Sequence, residues 1–269
     1  MLIVGELINS TRPRIRPLLE ARRASAIVEL ARRQIAAGAN LVDVNCAALM
    51  DDEEECLAWA IETIQGALDV QISIDSPNPA ALRRGLQVHR GRALLNSVTL
   101  ERARWTGLLP LIQEFHCGVI ALCMDDQGVP ATPDRRLALA GRLVGGLTQA
   151  NVSEDDIYVD PLVLPVATDT RSAVEVLRAV DLIRQHFPQV HVLCGLSNVS
   201  FGLPRRAQVN RVFLVMCMAH GVDAFILDPL HGRLMADLIT ARMLLGQDES
   251  CRGYLSAVRA GRIDDLRNG

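Results

Sequence analysis

The stretch that decides the fold is residues 71–88, which read QISIDSPNPAALRRGLQV. Gln71–Asp75 is a short apolar, β-branched run, and Pro79–Val88 has apolar residues at the spacing of an amphipathic helix. The Ser-Pro-Asn-Pro sequence at 76–79 ends the first segment and starts the second. The stretch therefore predicts a β-strand that leads directly into an α-helix.

The same strand-to-helix unit recurs along the chain. Most of the strand segments are near-continuous apolar runs, as in a parallel sheet that is buried on both faces. The predicted strands are Leu2–Ile8, Leu41–Asn45, Gln71–Asp75, Ala93–Val98, Gly118–Met124, Ile157–Asp160, His191–Gly195 and Ala224–Asp228. The predicted helices are Ala21–Ala37, Glu53–Leu68, Pro79–Val88, Trp105–Phe115, Pro133–Ala150, Arg171–His186, Arg206–His220 and Gly232–Leu245.

Eight strands and eight helices in strict alternation predict an α/β fold, the (β/α)8 or TIM barrel. A doubly wound open sheet is the main alternative, but no G-x-G-x-x-G motif follows the first strand. No linker or low-complexity tract divides the chain. We therefore predict a single domain over residues 1–269.

The composition argues against several classes of protein. The net charge is −3 and no basic segment stands out, which argues against nucleic-acid binding. No apolar run approaches the ~18 residues of a membrane span, and the first residues lack the pattern of a secretory signal. The seven Cys residues include no C-x-x-C pair, which is typical of reduced thiols. We therefore expect a cytoplasmic protein that contacts neither nucleic acid nor membrane.

Lysine is absent from the chain. All 28 basic residues are Arg. Schiff-base aldolases, pyridoxal-phosphate enzymes and P-loop kinases each depend on a lysine amine. The composition alone therefore excludes these three classes of enzyme.

Polar residues with short side chains follow most of the predicted strands. The active site of a TIM barrel lies at the carboxyl ends of its strands, so we expect these side chains around one opening. They are Glu6, Asn9, Asp43, Asn45, Asp75, Ser76, Asn96, Ser97, Asp125, Asp126, Asp160, Ser197, Asn198 and Asp228. Carboxylates and amides suit a flat heterocycle with N–H donors, such as an aminopyrimidine. A metal site is not indicated, because only His231 among the six His residues follows a strand end.

Structural alternatives stay open for two of these residues. Asp75 and Asp160 each precede a proline-containing turn, where an aspartate also serves as a turn or helix-cap residue. Asn96 is harder to explain in this way, because an amide within an apolar strand needs polar partners.

Other polar positions carry similar alternatives. Asp43 and Asn45 alternate with apolar neighbours, so they either face the barrel interior or cap its rim. Asp125–Gly128 has the composition of a solvated turn, and His231 is expected in a surface loop.

The segment 195–206, GLSNVSFGLPRR, with Asn210 beyond it, resembles the pterin-binding methyltransferases. These are the methyltetrahydrofolate:corrinoid-protein methyltransferases and the folate domain of cobalamin-dependent methionine synthase. Shorter stretches agree in the same order: Gly5–Asn9, Asp43–Asn45, Ser73–Ser76, Asn96–Val98, Met124–Asp125 and Asp160–Leu162. The resemblance implies a barrel that binds methyltetrahydrofolate at its carboxyl end, usually as a homodimer.

The resemblance also implies roles for individual residues. Asn198 is the expected catalytic residue, because it would approach N5, the nitrogen that carries the methyl group. Phe201, Leu203 and Arg206 are candidates for the face that contacts a partner protein, or they pack only within their own loop. The residues expected to bind the substrate are Glu6, Asn9, Asp75, Asn96, Asp160, Gly195 and Ser197.

The implied reaction moves the N5-methyl group between methyltetrahydrofolate and the cob(I)alamin of a corrinoid protein. A tertiary amine is a poor leaving group, so N5 must gain a proton or a strong hydrogen bond as its bond to the methyl carbon breaks. Orientation and electrostatics from the barrel suffice, and no metal of its own is implied. A full barrel leaves no room for a corrinoid domain, and a D-x-H-x-x-G motif is absent. The corrinoid (cobalamin) is therefore expected on a separate partner protein.

Two other functions are weighed against this one. Dihydropteroate synthases share the barrel and the pterin pocket, but that family uses a Lys near its seventh strand. This chain has Gly-Leu-Ser-Asn there and no Lys at all. The second alternative is a folate-binding module that docks a partner without its own turnover, which an assay of methyl transfer to a reduced corrinoid would distinguish.

Overall fold

A computed structural model describes residues 1–263 and contains eight parallel strands that close into a barrel. Each strand pairs with its neighbours in chain order, and the last pairs with the first, from Leu2 opposite Ala224 to Gly5 opposite Leu227. The predicted TIM barrel is confirmed. The strands are β1 (Leu2–Asn9), β2 (Leu41–Asn45), β3 (Gln71–Asp75), β4 (Leu94–Val98), β5 (Gly118–Leu122), β6 (Ile157–Asp160), β7 (His191–Gly195) and β8 (Ala224–Leu227).

Within residues 1–263, α-helices surround the barrel, and at least one follows each strand. None of these helices is both long and apolar enough to cross a lipid bilayer. The helices are α1 (Arg16–Glu20), α2 (Ala24–Ala36), α3 (Glu53–Ala67), α4 (Pro79–Val88), α5 (Arg102–Phe115), α6 (Pro133–Gln149), α7 (Ser172–His186), α8 (Arg206–Ala219), α9 (Gly232–Leu244) and α10 (Arg252–Arg259).

The sequence pattern missed two of these helices, α1 and α10. A helix of five or eight residues is too short to show a clear 3.6-residue period. The sequence also placed the start of α2 too early, at Ala21 instead of Ala24. Arg22 has a positive φ of 48°, a conformation that an α-helix does not admit.

The fifth strand is shorter than predicted. The apolar run continues to Met124, but the strand ends at Leu122. Beyond this point the chain turns back, and the N–H of Met124 donates to the carbonyl of Leu122 at 2.7 Å. A continuous apolar run therefore predicts burial here more reliably than it predicts an extended backbone.

The barrel interior is filled by side chains from Val4, Leu94, Ile120, Leu193 and Ala224. A larger hydrophobic core lies between the strands and the helices. Because successive side chains of a strand point to opposite faces, the residue two positions after each of these also faces the interior. The next interior layer therefore contains two polar residues, Glu6 and Asn96, together with Leu122, Gly195 and Ile226.

Candidate active site

A cavity of about 800 Å³ opens at the carboxyl end of the barrel. Every strand contributes at least one residue to its lining: Glu6 and Asn9 of β1, then Asp43, Asp75, Asn96, Leu122, Asp160 and Gly195, and Ile226 and Leu227 of β8. Residues from the loops beyond the strands complete the wall, among them Arg12, Ser197, Asn198, Phe201, Arg206, Asn210, Asp228 and His231. The structure thus brings together every residue that the sequence analysis expected to contact a substrate.

Asp43 and Asn96 belong to one of two hydrogen-bonded groups beside the cavity. Asp43 is buried, and its Oδ1 accepts from Ser73 Oγ at 2.6 Å and from Asn96 Nδ2 at 3.1 Å. The side-chain nitrogen of Asn96 therefore donates to Asp43. The side-chain oxygen of Asn96, Oδ1, stays available to a donor in the cavity.

Asn45 and Asp75 belong to the second hydrogen-bonded group. Asn45 Oδ1 accepts the backbone N–H of Ala47 at 3.0 Å, which fixes the orientation of the amide. Its Nδ2 then donates to Asp75 Oδ2 at 2.8 Å. The other oxygen of Asp75 accepts no hydrogen bond from residues 1–263 and lines the cavity with the rest of the side chain.

Burial perturbs the acidity of this layer. It raises the pKa of Asp75 and of Asp160 to about 6 in each case. Burial, reinforced by the negative charge of Asp75, raises the pKa of Asp43 well above its ordinary value. The cavity therefore holds several carboxyl groups that change protonation closer to neutral pH than ordinary aspartates do.

Glu6 connects the ends of β1 and β7. Its Oε1 accepts from Arg12 at 2.7 Å, and its Oε2 accepts from Ser197 Oγ at 3.4 Å. Burial raises the pKa of Glu6, and the charge of Arg12 opposes that rise. Glu6 is thus held in the cavity wall by a partner on each of its oxygens.

The loop after β7 presents an amide without a protein partner. Asn198 is exposed toward the cavity in a 3₁₀ turn, Leu196–Ser200. No hydrogen bond among residues 1–263 involves its side chain, and no side chain caps the start of α8. A Cβ at position 195 would lie 3.3 Å from Asn198 Nδ2 and 3.9 Å from Asp160 Oδ2. The glycine therefore keeps the space between these two side chains open.

Phe201 and Arg206 lie at the mouth of the cavity. The Phe201 side chain is 65% exposed, and the Arg206 guanidinium lies 5.7 Å from the centre of its ring. Arg206 also donates to the carbonyl of Ser197 at 2.7 Å. Leu203 is half-buried and does not line the cavity.

One interpretation of a single residue was incomplete and another was wrong. His231 lies in the loop after β8, as expected, but it also lines the cavity and accepts the backbone N–H of Leu234 at the start of α9. Asp125 is not solvated. It is buried in the turn after β5 and pairs with Arg135 at 2.6 Å, away from the cavity.

Asp43 and Arg12 line the site but were not among the expected substrate residues. Asp43 had a signal, since it alternates with buried valines, and the alternation left only the choice between interior and rim. No sequence signal indicated Arg12, because the position of a loop residue depends on the course of the loop in the folded structure. Among residues 1–263, no three His, Cys, Asp or Glu side chains are arranged to hold a metal ion.

Comparison with known proteins identifies the family to which this barrel belongs. The model of a family of pterin-binding enzymes matches residues 5–228, from β1 to the end of β8. The chain belongs to the pterin-binding enzyme family. The part of this pterin-binding enzyme that matches the family therefore spans all eight strands of the barrel.

Curated relatives narrow the branch of the family. The methylcorrinoid:tetrahydrofolate methyltransferase of Eubacterium limosum is 31% identical over 269 residues, which are 99% of each chain. The methionine synthase of Mycobacterium tuberculosis is 29% identical over 239 residues, 84% of this chain but 20% of that protein. The resemblance to the pterin-binding methyltransferases, and the prediction that the chain is a methyltransferase, are confirmed.

Solved structures agree on the fold. The dihydropteroate synthase of Clostridium difficile has a TM-score of 0.71 and 18% identity over 92% of this chain and 95% of its own. The dihydropteroate synthase of Yersinia pestis has a TM-score of 0.67 and 16% identity over 90% and 93%. At these identities the likeness concerns the barrel alone.

Proposed function

We propose that this pterin-binding enzyme transfers the N5-methyl group between methyltetrahydrofolate and the cob(I)alamin of a separate corrinoid protein. The observation that carries the proposal is the layer of carboxylates and amides in the cavity, with the unpartnered amide of Asn198 in its wall. A relative that matches along its full length and is named for a methylcorrinoid and tetrahydrofolate supports the same pair of substrates.

Asp75, Asn96 and Asp160 would hold the pterin ring. Asp75 and Asn96 each have one side-chain oxygen that is free of protein partners, so each can accept an N–H of the ring. At neutral pH, carboxyl groups with pKa values of about 6 are mostly ionised, which strengthens these bonds. Glu6, Asn9, Gly195 and Ser197 would complete the pocket around the substrate.

Asn198 would act on N5. When the cobalt electron pair attacks the methyl carbon, the cobalt–carbon bond forms, the carbon–N5 bond breaks, and its electrons stay on N5, which takes a proton. In the reverse direction the N5 lone pair attacks the methyl carbon, the cobalt–carbon bond breaks with its electrons staying on cobalt, and N5 then loses its proton. The amide can accept from a protonated N5 or donate to an unprotonated one, so it can follow either direction. This role needs neither a metal ion nor a covalent intermediate from the chain.

The corrinoid protein would dock over the mouth of the cavity, because its cobalt must reach N5. Phe201 offers an exposed apolar ring there, and Leu203 and Arg206 flank it. Phe201→Ala should raise KM for the corrinoid protein and leave tetrahydrofolate affinity unchanged. Leu244→Ala is the control, since Leu244 is also an exposed apolar residue, at 76%, and lies at the far end of α9. Equal KM values for both variants would mean that Phe201 packs only within its loop.

A homodimer and a cytoplasmic location belong to the same proposal. Val212, Val215 and Met216 are exposed on α8 at helical spacing and form one apolar stripe. A stripe of this kind suits a second copy of the chain. In a sedimentation experiment the wild type should be a dimer and Val215→Arg a monomer. Identical sedimentation profiles for the two proteins would contradict this interface.

A direct assay separates the proposal from its alternatives. Methyltetrahydrofolate and reduced cob(I)alamin, free or on a corrinoid protein, should yield methylcob(III)alamin, visible in the cobalt absorption spectrum. Asn198→Ala is the control that should bind folate and transfer slowly. Folate binding without any transfer would instead identify a docking module. Condensation of a pterin with 4-aminobenzoate would identify a dihydropteroate synthase, against which the absence of lysine argues.

A further inference from the structure

Arg104, on α5, reaches the ends of two neighbouring strands. Its Nε donates to the carbonyl of Ser97 at 2.9 Å, its Nη1 to that of Pro77 at 2.7 Å and its Nη2 to that of Ser76 at 2.9 Å. These carbonyls directly follow the cavity-lining residues of β3 and β4. One guanidinium therefore ties the two segments together.

Arg136, on α6, does the same at β6. It is 1% exposed, and its Nε donates to the carbonyl of Pro161 at 2.8 Å. Further bonds reach the carbonyls of Ala131 at 3.2 Å and Leu162 at 3.4 Å. Burying a cation that bonds only to backbone carbonyls lowers the stability of the fold. We therefore look for the role of Arg136 in the backbone segments to which it bonds. It holds the turn directly after Asp160.

Both clamps depend on the shape of the guanidinium group. Arg offers five N–H donors in a rigid plane, whereas a lysine ammonium is a single point on a flexible chain. Three carbonyls from two segments of the chain can share one guanidinium without any of them moving. A lysine at 104 or 136 would preserve the charge but reach fewer of these carbonyls.

Each clamp also lies beside the carboxyl group whose strand it holds. Burial raises the pKa of Asp75 to about 6, and the charge of Arg104 limits that rise. Burial likewise raises the pKa of Asp160 to about 6, against the charge of Arg136. The two arginines are thus linked to these two residues by backbone geometry and by electrostatics.

We propose that Arg104 and Arg136 are positioning residues that set the placement of Asp75, Asn96 and Asp160 in the cavity. The inference rests on the proposed pterin site, and it adds two residues that do not line the cavity. The guanidinium groups fix the backbone next to the acceptors, so the ring meets oxygens that are already in place.

Arg184 supplies a matched control. It sits on α7 and donates to the carbonyls of Val190 and Gly221 at 2.8 Å each and to Asp223 at 2.7 Å. Those residues precede β7 and β8, at the amino end of the barrel. The clamp is of the same kind and lies at the end opposite the cavity.

The first measurement uses the ligand-free protein and needs no folate. Hydrogen exchange should become faster at residues 76–78 and 97–99 in Arg104→Lys and at residues 161–164 in Arg136→Lys. In Arg184→Lys it should become faster only near residues 190–192 and 221–223. Unchanged exchange at the strand ends of the first two variants would overturn the proposal.

The second measurement is tetrahydrofolate affinity against pH. Arg104→Lys and Arg136→Lys should bind about tenfold more weakly than wild type, the effect of one lost hydrogen bond, while Arg184→Lys binds normally. Wild-type affinity should fall as the pH drops through about 6, because Asp75 and Asp160 then become protonated. Arg104→Gln also removes the charge, so it should move this pH midpoint upward. A merely structural role of Arg104 would leave the pH midpoint unchanged.

The outcomes separate the inference from the proposed function. Absence of tetrahydrofolate binding by the wild type would refute the pterin site and leave hydrogen exchange to decide the clamps. If both Arg104 variants bound tetrahydrofolate with the affinity and the pH midpoint of the wild type, the positioning role would be overturned. Should Arg136→Lys not fold, the Arg104 pair decides the result alone.

Discussion

The two ends of the barrel use the same residue types for opposite purposes. At the amino end, Asp223 accepts from Arg184 at 2.7 Å and from the His191 ring at 2.9 Å. Burial raises the pKa of Asp223, but its bonds to His191 and Arg184 outweigh that effect and lower it overall. At the carboxyl end, the pKa of Asp75 and of Asp160 is raised by burial to about 6.

The opposite pKa shifts show that carboxylates stabilise the folded state at the amino end and destabilise it at the carboxyl end at neutral pH. A carboxylate with cationic partners is more acidic in the folded state and stabilises it at neutral pH. A buried carboxylate without a paired cation is less acidic and destabilises the folded state at the same pH. The ion pairs at the amino end therefore stabilise the fold, whereas Asp75 and Asp160 destabilise it at neutral pH, as groups that serve the proposed substrate binding would.

The largest contrast is expected for two asparagines. Asn198→Ala should lower the single-turnover rate of methyl transfer to cob(I)alamin by about 10²–10³, because the amide stabilises N5 more in the transition state than in the ground state. Methyltetrahydrofolate affinity should change much less.

Asn40 at the amino end provides the control, since its Oδ1 accepts the N–H of Ile3 at 2.8 Å. Asn40→Ala should cost about 1 kcal/mol of stability and leave the transfer rate unchanged. A normal rate in Asn198→Ala, or a rate lost only through weaker folate binding, would remove the catalytic role.

Folate affinity should distinguish the aspartates of the two ends. Asp75→Ala and Asp160→Ala should each weaken tetrahydrofolate binding about 5- to 150-fold, since ring donors are left unpaired at ~1–3 kcal/mol. Asp223→Ala should bind folate as the wild type does. Titration calorimetry of all three variants measures this, and unchanged binding in the first two would refute the site.

The pH dependence of stability should have opposite signs at the two ends. The pKa of Asp160 is raised, so its contribution to stability is lost as the pH rises from 3.8 to about 6. Asp160→Asn should therefore raise Tm at pH 8 by about 2–4 °C, which is ~1 kcal/mol. The pKa of Asp223 is lowered, so its contribution is present above pH 3.8 and is lost on acidification.

Asp223→Asn should accordingly lower Tm at pH 8 by a similar amount. Calorimetric scans at pH 8 and pH 4 provide the comparison for both variants. Shifts of the same sign at pH 8 would abolish the distinction between the two ends.

The smallest effect is expected at His191. Its bond to Asp223 raises its pKa, so the stabilisation is complete below the unfolded value of 6.5 and is lost as the pH rises through the folded pKa. His191→Gln should cost about 0.2–1 kcal/mol at pH 6 and nothing at pH 9, as measured by urea unfolding. An equal cost at both pH values would assign the effect to the stacking of His191 on Tyr158.

Most of the site could be predicted because it follows from strand periodicity. Asp75 and Asp160 are the last residues of their strands, and Asn96 lies within β4 on the interior face. The carboxyl ends of all strands in a barrel surround one opening. The choice between interior and rim for Asp43 could not be predicted. It depends on the hydrogen bonds to Ser73 and Asn96, which lie on neighbouring strands.

By itself, the sequence determined the alternation of strands and helices, the polar strand ends and the exclusion of lysine chemistry, because each is a local or compositional property. The tertiary structure alone decided which oxygens stay free, how far burial shifts each carboxyl group, and which arginines hold the strand ends. Arg104 meets a carbonyl 28 residues away, and Asn45 meets a carboxylate 30 residues away. Such contacts are created only when the barrel closes and brings distant segments into register.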